Sequence, residues 1–228
     1  MRSYLSFYHI QTAAFFARQS AVMEKEHGGK PWGEVFNSGA FAEHRAYVTG
    51  AVFAAAAFLE ATINELFKDA VEEHSGGPVT QLPESVRSLI AERWRQGVDR
   101  FDSLSKYQTA LILARQDPFP TGVQPYQDLL LLTNFRNRLI HFEPETITAG
   151  QPEEQATFHK VEQQLAGKFP PNPLIPEDSG NPFYPDKCLS HGCAKWAVES
   201  ALRFANDFCS RMKITPRHDP YRSLLKTD

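Results

Sequence analysis

Apolar residues return every three to four positions along most of the chain, the spacing that turns one face of an α-helix toward a core. The pattern predicts helices over about residues 3–25, 41–73, 84–96, 103–115 and 125–142. A short polar helix is expected over 153–166 and an amphipathic one over 190–212. Tyr4, Phe7, Tyr8, Phe15 and Phe16 supply apolar positions of the first. Breakers separate the elements: His27-Gly28-Gly29, Ser75-Gly76-Gly77-Pro78, Gly97, and the turn Asp117-Pro118-Phe119-Pro120-Thr121-Gly122. Six of the sixteen prolines fall between 170 and 185, so 168–187 is expected to be an extended loop without regular structure. No strand series and no internal repeat is evident. The expectation is an all-α protein, an up-and-down antiparallel helical bundle with additional N- and C-terminal helices. Its 228 residues are read as one domain with a core over about 41–142.

Composition narrows the class. An apolar share of 42% and a charged share of 22% belong to a globular chain. A net charge of −3 leaves no global basic field, so any contact with nucleic acid needs a local patch. The most apolar stretch, YVTGAVFAAAAFL (47–59), is short for a bilayer and runs into Glu60, which predicts a core helix and no membrane partner. Cys188, Cys193 and Cys209 are too few and too clustered for a disulfide scaffold, which together with the lack of a secretory signal predicts a cytoplasmic setting.

The helix over 125–142 ends in an unusual way. YQDLLLLTNFRNRLIHF closes with two arginines, an asparagine and a histidine in six positions, and Pro144 disfavours helical geometry at Glu143. The helix should therefore stop at His141 or Phe142. An Arg five positions before a His arises by chance about 0.5 times in such a chain; demanding Asn after the Arg cuts that roughly thirty-fold. Arg2…His9 and Arg211…His218 have similar spacing, with Ser3 and Met212 where Arg136 is followed by Asn137. At ~100° per residue, Arg136 falls near the centre of a stripe made by Leu129, Leu132, Leu139 and Ile140, whereas Arg138 falls on the polar face with Asn134. A guanidinium on an apolar face needs an acceptor. Glu60 and Asn64, one turn apart in AVFAAAAFLEATINELF, are the expected ones, with Glu60 orienting Arg136 or Asn137. An imidazole beside a guanidinium suits chemistry at a phosphodiester, with His as acid or base and Arg stabilising the phosphorane. That division of labour asks for no metal and no cofactor.

These residues carry a resemblance. R-N-R-L-I-H resembles the R-[polar]-x-x-x-H signature of HEPN domains, an all-helical superfamily, and FLEATINELF resembles the helix that precedes the motif in many bacterial members. The likeness spans roughly 41–142 and extends to the final helix with CLSHGCAKWAVESALRF. It implies a metal-independent endoribonuclease of toxin–antitoxin or phage-defence type acting on single-stranded RNA. By the same resemblance Arg136 and His141 are catalytic, Asn137 is the polar adjunct, and Glu60 and Asn64 support them. Arg138 is expected to contact RNA. Two copies of the motif would face each other in a homodimer, with an antitoxin or a nucleotidyltransferase as a further partner. The competing expectation is a non-catalytic helical module that binds nucleotide, RNA or protein.

Other candidates have simpler readings. Cys188, His191 and Cys193 lack tight paired metal spacing, so buried cysteines beside Trp196 are expected instead of zinc. Trp196, Val198, Ala201, Leu202, Ala205 and Phe208 read as a core stripe. Arg211, Lys213, Arg217, Arg222 and Lys226 read as a solvated basic tail. There is no P-loop, G-x-G-x-x-G, G-x-S-x-G or H-E-x-x-H.

Overall fold

A computed structural model describes residues 2–143 and 158–228. Among these residues eight α-helices follow in order: α1 (Ser6–His27), α2 (Trp32–Asn37), α3 (Ala40–Val71), α4 (Glu84–Arg95), α5 (Ser103–Leu113), α6 (Tyr126–Ile140), α7 (Phe158–Leu165) and α8 (His191–Met212). No strand occurs among the described residues, and the protein is an all-α bundle. The expected bounds hold to within a few residues. The first part of the polar helix expected over 153–166 lies outside the described residues, as does Pro144.

α3 is the axis of the bundle, and its own residues explain why. Between Ala51 and Val71 the only exposed position is Glu60. A helix apolar on nearly every side has to be wrapped. α1 lies antiparallel along it: Glu24 meets His44 at one end, and Ser6 and Tyr4 meet Glu65 and Asp69 at the other. Small residues permit the close approach, with Ala13, Ala14 and Ala17 of α1 buried against Ala51 and Ala55. Gly50 belongs to this contact, since a Cβ there would sit 2.7 Å from the ring of Phe16. α8 runs parallel to α3, and Tyr107 of α5 ties the two, its ring edge-on to Phe204 and Phe208 and its hydroxyl donating to the Leu59 carbonyl at 2.8 Å. One connected apolar core runs from Ile10 to Leu225.

Several expectations are corrected. α3 has 32 residues and is long and apolar enough to cross a bilayer, so the argument from the shortness of 47–59 does not hold. Its apolar residues are nonetheless packed under the neighbouring helices. Tyr8 and Phe15 of α1 point to solvent, because alanines occupy the buried face. The 168–187 segment is packed and contains one helical turn at Phe183–Lys187, with Leu174, Ile175 and Tyr184 buried. Nor is the tail loose. Arg217 binds Asp69 and stacks over Tyr4, and Leu225 and Thr227 are buried. Arg18 of α1 donates to the carbonyls of Leu224 and Lys226, while Lys195 and His191 hold Asp228.

His218, in this tail, is buried edge-on to Phe58 and bonded to the Asn206 side-chain oxygen at 3.0 Å. Burial pushes its pKa down to about 4. A histidine with a depressed folded pKa stabilises the fold fully above its unfolded value of about 6.5, and this is lost as pH falls toward 4. We expect His218→Gln, which cannot titrate, to lose about 2–3 kcal/mol less stability than wild type between pH 7 and 4.5. Urea unfolding at both pH values measures this, and equal losses in the two proteins would contradict it.

Candidate functional site

α6 forms because Tyr126–Ile140 is a leucine-rich run with Asp128 in its first turn, a carboxylate suited to a helix N-terminus. Its buried residues are Asp128, Leu129, Leu131, Leu132 and Phe135. Their mean direction lies ~70° from Arg136 at 100° per residue. Arg136 is thus on the flank of the buried stripe and not at its centre, and its side chain is 28% exposed. Phe135 takes the core position that the spacing of Leu129, Leu132, Leu139 and Ile140 assigned to the Arg136 face. Ile140, read as part of that stripe, is exposed.

Glu60 is where the acceptor was expected. Its carboxylate lies 3.7 Å from the Arg136 guanidinium. The gap exceeds a hydrogen bond, and Glu60 is 49% exposed, so the pair is a loose surface ion pair. Asn64 serves a different group. Its side-chain oxygen accepts from Lys106 at 2.9 Å, and the Lys106 ammonium, buried within α5, also lies 5.6 Å from the Trp94 ring centre. The Asn64 oxygen thus goes to Lys106 and not to the Arg136 site; it solvates a buried cation that the sequence reading missed. SLSKYQTALIL did carry a signal, a lysine on the same helical face as Tyr107 and Ala110.

The helix stops at Ile140. The His141 N–H donates to the Asn137 carbonyl at 2.9 Å, and His141 then leaves helical geometry at φ −101° and ψ 45°. Asn137, His141 and Phe142 are exposed. Among the described residues the His141 imidazole has no hydrogen-bond partner. Arg136 and His141 are not joined within one copy, and on an ideal helix their side chains would leave ~140° apart. Arg138 is half-buried on the other flank and not on an open polar face. Its charge favours the ionised form of Tyr184, against the larger effect of burial that raises that phenol.

The remaining clusters offer less. Two competing Arg–His pairs are structural: Arg2 binds Asp69 and Glu72, and Arg211 binds Asp207 and stacks over Phe119. All three cysteines are buried, which pushes their thiols up, Cys209 to about 12. Among the described residues no group of three His, Cys, Asp or Glu side chains is placed to hold a metal ion. A polar cleft of about 530 Å³ separates the end of α3 from α4. Arg87 and Arg95 line it, but Glu73 and Glu84 match them, so it has no net field that favours an anion.

The two residues grouped as supports should differ in cost. Glu60→Ala should lose less than ~1 kcal/mol, because the pair is half-exposed. Asn64→Ala should lose about 2–3 kcal/mol, because it strands the Lys106 ammonium. Urea midpoints decide between them, and the reverse order would refute this assignment. No family model matches the chain, and no curated protein or solved structure matches it, so the functional reading rests on the residues and geometry above.

Proposed function

We propose that the chain is a metal-independent endoribonuclease that cleaves single-stranded RNA at a composite site built from Arg136 and His141 of two copies. The observation that carries this reading is the exposed imidazole of His141 at the end of α6, without a hydrogen-bond partner among the described residues, beyond a guanidinium that among those residues is held by a loose ion pair. Such a guanidinium can exchange its carboxylate partner for a phosphate without leaving a buried charge behind. The resemblance of R-N-R-L-I-H to the HEPN signature supports the same assignment. Because the two side chains diverge within one copy, a two-fold arrangement of α6 ends is the way for both to reach one phosphate.

In the reaction, one His141 takes the proton from the ribose 2′-OH. The 2′-oxygen attacks the adjacent phosphorus and the bond from phosphorus to the 5′-oxygen breaks. The imidazolium of the other copy protonates that leaving oxygen, giving a 2′,3′-cyclic phosphate and a 5′-OH end. Arg136 stabilises the dianionic phosphorane, and Asn137 donates to phosphate or base. Arg138, on the other flank, contacts the RNA backbone. A protein antitoxin or a nucleotidyltransferase that covers or modifies the α6 end would regulate such a site.

A second reading has its own observation. The Glu60–Arg136 pair joins α3 to α6, so the motif could serve only to fix helix register in a binding module. The readings separate in one assay of purified protein with labelled RNA in EDTA. The nuclease predicts cleavage that falls by ~10²-fold or more in His141→Ala and in Arg136→Ala, with folding unchanged. Failure of the wild type to cut several unrelated RNAs would leave only the module.

A further inference from the structure

The outward face of α1 carries a pattern that the bundle does not use. Leu5, Tyr8, Thr12, Phe15, Gln19 and Val22 follow one another at alternating intervals of three and four residues. At ~100° per residue all six fall within a ~100° stripe, on the side away from Ile10, Ala13, Ala14 and Ala17. Leu5, Tyr8, Phe15 and Val22 are 58%, 61%, 46% and 45% exposed. Two more exposed residues lie alongside. The Tyr221 ring centre is 4.3 Å from that of Phe7, and Leu224 is held to α1 through its carbonyl by Arg18. Single exposed apolar residues are ordinary on a protein surface; an aligned row of them along a 22-residue helix is not.

Alternation of three and four is the spacing of a coiled-coil seam, so the shape that fits this face is another helix. We propose that the α1 face is a self-association surface on which α1 of a second copy lies antiparallel across a two-fold axis. The row is complementary to its own reverse. With the axis between Ala13 and Ala14, Leu5 faces Val22, Tyr8 faces Gln19 and Thr12 faces Phe15. Each layer joins a larger side chain to a smaller one, and the Tyr8 hydroxyl is placed to donate to the Gln19 side-chain oxygen. The two-fold repeats each layer, as an isologous interface requires.

The area is of the right size. Leu5, Tyr8, Phe15, Val22, Tyr221 and Leu224, of roughly 200 Å² each and about half exposed, present on the order of 600 Å² per copy. With the polar rim that accompanies any such patch, this approaches the ~800 Å² per partner of a standard interface. The surface is separate from the candidate active site. Tyr4 and Ser6 bind Asp69 and Glu65, which leave α3 ~140–180° around from Glu60. An α1 pair therefore leaves the α6 end uncovered, and a chain that uses both two-folds assembles beyond a dimer.

Light scattering on the full chain at micromolar concentration tests this. The expected result is a wild-type assembly whose mass falls by half in Tyr8→Glu/Phe15→Glu, with unchanged helical circular dichroism. Thr12→Arg, a single change at an exposed position, should give the same halving if the double variant does not fold. RNA cleavage by these variants separates the two proposals. Halved mass without any wild-type cleavage overturns the nuclease alone. A monomeric wild type, or an assembly of unchanged mass in the folded variants, overturns the α1 surface whatever the cleavage result.

Discussion

The bundle depends on the burial of one helix on nearly all sides. α3 has an alanine run at its middle and an almost continuous apolar surface, and water cannot be left against it without a large cost in apolar exposure. α1 answers with alanines, so the two backbones approach closely, and α8, α4, α5 and α6 close the remaining sides. Glu60 is the break in this surface. It is the one exposed residue between Ala51 and Val71, and the Arg136 guanidinium stands over it. The position of the candidate active site thus follows from the place where the C-terminal two-thirds of the core helix meets solvent.

Charges elsewhere follow a stricter rule. Lys106 is buried and is held by the Asn64 oxygen and the Trp94 face. Asp69 is buried between Arg2 and Arg217, with Tyr4 as a further donor. Asp128 is buried under Lys168, whose ammonium lies 2.9 Å away. Each has its partners close, as a buried ion must. Arg136 and His141 differ: among the described residues one has a long, half-exposed pair and the other no hydrogen-bond partner for its imidazole. Groups free to change partners are the ones available for chemistry, whereas the tightly paired ones hold the fold.

Helix positions were legible because the apolar period in this chain is strong and its breakers are unambiguous. Facing was harder to read. Four consecutive leucines at 129–132 cover most of a helical turn, so their spacing cannot choose a buried face, and Phe135 settles it. The first helix misled for a related reason: aromatic residues look like core positions, but here alanines fill the narrow gap against α3 and leave Tyr8 and Phe15 outside. Asn64 shares a face with Glu60, yet its neighbour there is α5 and not α6, a fact of tertiary order that periodicity does not contain. The Glu60–Arg136 contact was legible, since a guanidinium in a leucine-rich helix and a carboxylate in an apolar one each needed a partner.

The proposed composite cleft requires that the α6 ends of two copies meet. Asn134 is exposed two residues before Arg136, and the three native cysteines are buried with thiols of raised pKa, so a spin label can be placed selectively on Asn134→Cys. Electron–electron distance measurements between labelled copies then report on the claim directly. Convergence of the motifs predicts a short, narrowly distributed inter-copy distance. A single long distance, as copies joined only through α1 would give, or no inter-copy coupling at all, would contradict it.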